Sequence, residues 1–338
     1  MKKVYMYLIL LSLSVTLQAA PQNPNALYNI YLSETTDQPK DIGDPKFRNR
    51  CEIVKDANGV VVSNHTDWIV FPGVANGSMH RHVYAGVTDT DENTTMADLP
   101  GLPTTCWGGF IKDAIWTVGL QHAGDLSDTN PDHFTIYYAQ GSGGVNWPSM
   151  ASLMVNPLPN GMVLIAGKAS DPAYAQWMVT KKKLLLGCVS ASGGTYNNAT
   201  TTDIPECLPG DELQVKFVFP SCFRGTSALL LDKDSPNHMD HAAYPQTGDY
   251  LTAGNKTTSQ CPSTHPYRSA TIIGLWHYKG VGKVITDAGA QLHMDYGKQI
   301  NDYLFDAPFK DCVVGGLDCG VGLLGKSGLR SEFPGFTN

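Results

Sequence analysis

Residues Leu213–Phe219, LQVKFVF, set Leu213, Val215, Phe217 and Phe219 in alternation with Gln214, Lys216 and Val218. Successive side chains of a β-strand point to opposite faces, so a period of two marks a strand with one face in a core. Outward from this stretch lie further short apolar runs of strand length: Asp67–Phe71, Ala114–Leu120, Phe134–Gln140, Met162–Ala166, Leu184–Cys188 and Thr271–Tyr278. Gly, Pro, Asn and Asp break the chain between them, with 34 Gly and 21 Pro in all. Many short strands with frequent turn signals predict a mainly β protein, an antiparallel β-sandwich or jelly-roll-like single large domain with few short helices. One segment has helical spacing, Lys298 to Cys312, with Ile300, Leu304 and Phe305 on one face.

The N-terminus has the three-part order of a secretory signal. Lys2 and Lys3 are basic, Val4–Leu17 is mostly apolar, and Ala19 and Ala20 are small. The expected cut follows Ala19, because a cut after Ala20 would place Pro21 next to it. The reading is therefore a signal peptide over 1–19, an N-terminal extension over 20–59, a main β-rich domain over 60–315 and a Gly-rich tail over 316–338. No later segment approaches the roughly 20 apolar residues of a membrane span, so no transmembrane segment is expected in the mature chain. The expected location is secreted or periplasmic. Losing Lys2 and Lys3 takes 24 basic residues to 22 against 31 acidic ones, and the formal charge from −7 to −9. Such a balance disfavours nucleic acid as a partner.

Eight cysteines, Cys51, Cys106, Cys188, Cys207, Cys222, Cys261, Cys312 and Cys319, form an even set in an exported chain, which predicts disulfides. Eight thiols admit 105 pairings, and the simplest joins neighbours along the chain. No Cys-x-x-Cys occurs, which argues against a zinc–thiolate site. Gly320–Ser327, GVGLLGKS, matches the phosphate-loop pattern. That mechanism needs a helix whose N-terminus faces the phosphates, and only eleven residues follow, broken by Pro334. A Gly-rich loop is the better reading, with no nucleotide. Gly-x-Ser-x-Gly and His-Glu-x-x-His are both absent from the chain.

The informative residues are histidines. His80 and His82 stand in GSMHRHVYAG, His238 and His241 in DSPNHMDHAAYP, His265 in CPSTHPYR, and His293 with Asp295 in LHMDYG. On a strand, His-x-His puts two imidazoles on one face about 7 Å apart at Cα, able to share one metal or one substrate. Imidazole with carboxylate suits a divalent ion such as zinc, copper, manganese or iron. Asp234, Asp240 and Asp295 can orient an imidazole or act as acid and base.

Taken together these blocks resemble the domain-of-unknown-function family numbered 1996, known from secreted fungal and bacterial proteins. The resemblance runs through Ser78, Met79, His80 and, with one insertion, His82; then Cys106 to Trp116; then Tyr137 and Tyr138. The most specific blocks are Phe219–Cys222, Asp234–Pro245, Cys261–Pro266, and Gly289 with His293 and Asp295. It covers roughly residues 60 to 315. This chain departs from the family in carrying Phe223, Arg224 and Gly225 where Trp-Asp-Gly is usual, so no acid there is essential. It also lacks a tryptophan after Asp295, where Tyr296 to Ile300 stand. The resemblance implies an extracellular polysaccharide as the ligand class. The expectation is a secreted glycan hydrolase using Asp234, His238, His241, His293 and Asp295, with His80 and His82 as metal ligands. The alternative is a non-catalytic extracellular glycan- or metal-binding protein.

Overall fold

A computed structural model describes residues 46–107, 109, 111–139, 161–190, 195–196, 199–224, 240–245, 261–265, 267–268, 271–299 and 318–320. The chain is mainly β, as expected. A seven-stranded sheet runs in the order Thr195–Tyr196, Leu184–Val189, Glu212–Val218, Thr271–Lys279, His133–Ala139, Lys46–Glu52, Asp318–Gly320. All its pairs are antiparallel except the last, which is parallel. A five-stranded antiparallel sheet runs Ser63–Asn64, His82–Gly86, Ala114–Val118, Met294–Gly297, Val163–Ala166. Two three-stranded sheets complete the set.

The two large sheets face each other across one core. In the strand whose pattern decides the fold, Leu213, Val215 and Phe217 are buried and Gln214 and Lys216 are half-buried. Val218 is buried as well, because Ile273 and Tyr137 cover it on the outer face. The inner face packs against Val83, Ala85, Ile115, Leu164, Met294 and Tyr296 of the other sheet. Contact is close at Gly274, where a Cβ would lie 2.4 Å from the Met294 sulfur and 3.0 Å from the Phe134 ring. The interface also holds a buried polar knot. Asp113 accepts from the hydroxyls of Tyr138 and Tyr296, one from each sheet, and from the Gln299 backbone N–H. Burial raises the Asp113 carboxyl to about 6, and the two tyrosine hydrogen bonds and Lys298 oppose that rise. These bonds satisfy a group that would otherwise be costly to bury.

Three neighbour pairings of cysteines form: Cys51–Cys106, Cys188–Cys207 and Cys222–Cys261. Cys312 lies outside the described residues, and so do the signal segment, residues 300–312 of the helix expected from Lys298 and residues 321–327 of the phosphate-loop string. Lys46–Glu52 falls inside the segment read as an N-terminal extension, yet it pairs with His133–Ala139 along its whole length. Asp67–Phe71 is a turn and not the expected strand. Phe71 N–H donates to the Asp67 carbonyl at 2.8 Å, and Val70 N–H to the Asp67 carboxylate at 2.9 Å. A side-chain acceptor three residues back gives the backbone an alternative to a ladder. Among the described residues the α-helix is Pro172–Thr180, with Pro at its start and the Asp171 carboxylate accepting from Tyr174 N–H at 2.9 Å. Among the described residues no helix is long and apolar enough to cross a membrane.

The close approach at Gly274 is testable. Gly274→Val should overpack the sandwich and lower stability by about 1–3 kcal/mol in urea denaturation. Unchanged stability would mean that the sheets do not touch there.

Candidate metal centre

The strand Met294–Gly297 lies inside the five-stranded sheet, paired on both sides. Met294 and Tyr296 point into the shared core. By the period of two, Asp295 points to the other face, beside Trp116, its cross-strand partner. That outer face is covered by the segment carrying Trp68, Ile69 and Leu99, which packs on Tyr84 and Trp116. Polar side chains at this face are therefore out of water.

His82 begins its strand and His80 stands two residues before it. Arg81 between them turns the opposite way and is held there. Its guanidinium donates to the Leu120 carbonyl at 2.7 Å and to the Ser63 hydroxyl at 2.6 Å, and its backbone N–H donates to Asp287 at 2.6 Å. With Arg81 anchored, the two flanking imidazoles share one side, as the His-x-His spacing predicts. Their Nε2 atoms are 2.9 Å apart. His293 Nε2 lies 3.1 Å from that of His80 and 3.4 Å from that of His82. One ion bonded to imidazoles at 2.0–2.1 Å would hold nitrogens about 2.9 Å apart at a right angle and about 3.3 Å apart at the tetrahedral angle. The three separations fall at or near these two values.

The other ring nitrogens fix the tautomers. His293 Nδ1 is 2.8 Å from the Gln291 carbonyl and His82 Nδ1 is 3.2 Å from the Thr66 carbonyl. A carbonyl only accepts, so each Nδ1 carries the proton and each Nε2 presents a lone pair. Lone pairs aimed at one point repel unless a proton or a cation lies between them. Burial disfavours the proton. His293 is brought down to about 4 by burial and by neighbouring His80, against the Gln291 carbonyl. Burial also holds His82 well below its ordinary value, as do His293 and His80 beside it.

Two carboxylates adjoin the imidazoles. Asp295 Oδ2 is 3.6 Å from His293 Nε2 and is buried without a hydrogen-bond donor. Asp67, His82 and Asp295 place one ligand atom each within 4.8 Å of one another, as do His80, His82 and His293. Either cluster can hold a divalent metal ion. Burial raises Asp67 to about 6, and it raises Asp295 well above the carboxylate range, where the charge of Asp67 adds to it. A cation among them would lower both.

Of the residues expected from sequence, the structure brings together His80, His82, His293 and Asp295. Asp234 and His238 lie outside the described residues. His241 is placed elsewhere. Its Nε2 is 2.6 Å from the Val163 carbonyl, at the end of Val163–Ala166 away from His293. His265 is bound to Thr264 and to the Asp240 carbonyl, at a turn. Asp67 is the member that sequence reading missed. Its only signal was a buriable acid next to His65 and Trp68, in a run scored as a strand.

The clustered residues fall within one family match. The family described as Domain of unknown function (DUF1996) matches residues 67–299, from Asp67 to just past Asp295, and the chain belongs to that family. No curated protein and no solved structure matches the chain significantly.

The depressed imidazole gives a pH signature in metal-free protein. Unfolded histidine titrates near 6.5 and native His293 near 4, so between these values the unfolded chain holds more protons. Stability carried by neutral His293 is thus present above 6.5 and lost as pH falls towards 4. Asp67, with its raised carboxyl, acts in the opposite sense in the same window. The clean measure is therefore a difference. In chelator-treated protein, the stability of His293→Gln relative to wild type should rise by about 3 kcal/mol between pH 7 and pH 4. A pH-independent difference would show that His293 is not buried as a neutral imidazole.

Proposed function

We propose that the chain is an exported metal-dependent hydrolase of an extracellular polysaccharide, in which His80, His82 and His293 hold one divalent transition-metal ion. The observation that carries this reading is the convergence of three Nε2 atoms at 2.9–3.4 Å, two of them deprotonated by carbonyl-bound Nδ1 groups. Three imidazoles are the donor set of catalytic zinc sites, which leave a position for water or substrate, whereas structural sites close all four. The ion would supply Lewis acidity and a water acidic enough to ionise near neutral pH. Asp295, beside His293, is placed to accept a proton from such a water or to serve as a fourth ligand. The mechanism thus moves from a His/Asp cluster that includes Asp234, His238 and His241 to a metal centre of His80, His82 and His293 flanked by Asp67 and Asp295.

Export is supported by the Lys2–Ala20 signal pattern and by three disulfides, which persist in oxidising compartments. The polysaccharide rests on the family resemblance and on the aromatic cleft described below. One observation favours a second, non-catalytic reading. His80, the most exposed of the five site residues, is 8% exposed, as suits an ion that ties the His80–His82 segment to the Met294 strand.

Protein purified without a metal-affinity step and reconstituted with zinc, copper, manganese or iron should bind roughly one ion per chain. His82→Ala and His293→Ala should each weaken that affinity by more than about 100-fold, beyond the cost of losing an outer-sphere partner. A polysaccharide panel assayed for reducing ends should show activity in wild type that chelator abolishes. No bound ion after reconstitution would end the metal reading. A cobalt-substituted protein whose visible spectrum ignores added azide would favour the non-catalytic reading.

A further inference from the structure

The structure holds a second feature that the metal centre does not use. A cleft of 290 Å³ lies between the helix and the small sheet around Ala242–Ala243, lined by Lys168, Tyr174, Trp177, Pro220 and Tyr244. Tyr174 and Trp177 are one helical turn apart and share a helix face. Their ring centroids are 5.2 Å apart, and Trp177 and Tyr244 are 5.5 Å apart. Trp177 is 37% exposed, although large aromatics favour burial and solvent contact here has no structural use. Tyr244 is immobilised by its hydroxyl, which donates to the Val218 carbonyl at 2.8 Å. The rings therefore form a preformed aromatic wall with one open face.

Among the described residues that line the cleft, Lys168 is the charged one, and Lys183 approaches Tyr244 from outside the lining. Lys168 Nζ sits 4.9 Å from the centre of the Tyr174 ring, and Lys183 Nζ 5.5 Å from that of Tyr244. No carboxylate lines the cleft among the described residues. The nearest acid along the helix, Asp171, accepts from Tyr174 N–H as its cap. Aromatic faces stack on the C–H faces of sugar rings, and a lysine beside them, as Lys168 lies over Tyr174, selects an anion. The volume is at the small end of the about 300–1,000 Å³ of small-ligand sites, which suits a saccharide unit and not a folded partner.

The cleft is joined to the metal centre through one short segment. Gly167, one residue before Lys168, has φ of +115° and touches His293, where a Cβ would lie 2.6 Å from the histidine's own Cβ. The Ala169 carbonyl accepts from Gln291 N–H at 2.7 Å, and the Gln291 carbonyl in turn orients His293.

We propose that the Tyr174–Trp177–Tyr244 cleft with Lys168 is a binding subsite for an acidic sugar unit, a pyranose carrying a carboxylate as in a polyuronate. This deepens the polysaccharide reading by naming its chemical class, and it rests on that reading for the link to hydrolysis but not for binding.

The test is isothermal titration of the full chain, metal-loaded and chelator-treated, with short oligogalacturonates and with neutral cello-oligosaccharides. Oligogalacturonate should bind both forms. Trp177→Ala should weaken binding on the order of tenfold or more, and Trp177→Phe should restore most of it. Lys168→Gln should lower oligogalacturonate affinity by roughly fivefold while metal content is unchanged. Absence of oligogalacturonate binding, or binding unaffected by Trp177→Ala, overturns the proposal without touching the metal reading. Equal affinity for the neutral oligosaccharide overturns the acidic class. Uronate binding in a protein that takes up no metal would leave this proposal standing and remove the metal-dependent one.

Discussion

The strand Met294–Gly297 is buried on both faces, and that constraint organises the molecule. Its alternate residues serve two different environments. Met294 fills the space that Gly274 leaves open across the sandwich, and Tyr296 joins the Asp113 knot. The residues between and before them, Asp295 and His293, are thereby directed to the opposite face. A one-residue slip would exchange the two sets, placing a carboxylate and an imidazole in the apolar core. Packing between the sheets thus fixes where two of the site's side chains emerge. The ladder to Ala114–Val118 and on to His82–Gly86 brings the other histidines to the same end.

What assembles there is costly without a cation. The carboxylates are pushed towards the neutral acid and the imidazoles towards the neutral base, because the site is dry. A dication with two carboxylates and three neutral imidazoles has no net charge. Burial of such a set is far cheaper than burial of any one of its charges. The backbone contributes as much as the side chains. The Gln291 and Thr66 carbonyls hold the rings so that lone pairs and not protons face inward. Ser78, whose carbonyl is 3.0 Å from His65, ties down the segment that leads to His80.

Much of this was legible from patterning. His-x-His and His-x-Asp are period-two spacings, and both lie where a strand or its approach keeps that period, so grouping them on one face was sound. Leu213–Phe219 gave the sandwich for the same reason. The failures have physical causes. Asp67 was hidden because its neighbours Trp68, Ile69 and Val70 are apolar and read as a strand, while its own carboxylate makes the segment a turn. His241 has the same residue type as the clustered histidines, but its position is set by the edge carbonyl of Val163, which no sequence pattern reports. Pro172–Thr180 was overlooked because PAYAQWMVT buries only Ala175, Met178 and Val179 and leaves aromatic rings on its outer side. Strands are read from which residues are apolar. Here the clue to the cleft is an apolar residue that is not buried.

That clue bears on how the parts relate. Gly167 is required where it is for a local reason, since any side chain would strike His293. The same backbone then delivers Lys168 to the cleft and the Ala169 carbonyl to Gln291, which sets the tautomer of His293. A ligand gripping Lys168 would therefore pull on a segment in direct contact with His293 and with the residue that orients it. Coupling between two sites needs such a continuous run of packed and hydrogen-bonded groups, and this one is only a few residues long. One short segment, Gly167–Ala169, thus touches both the aromatic cleft and the histidine cluster.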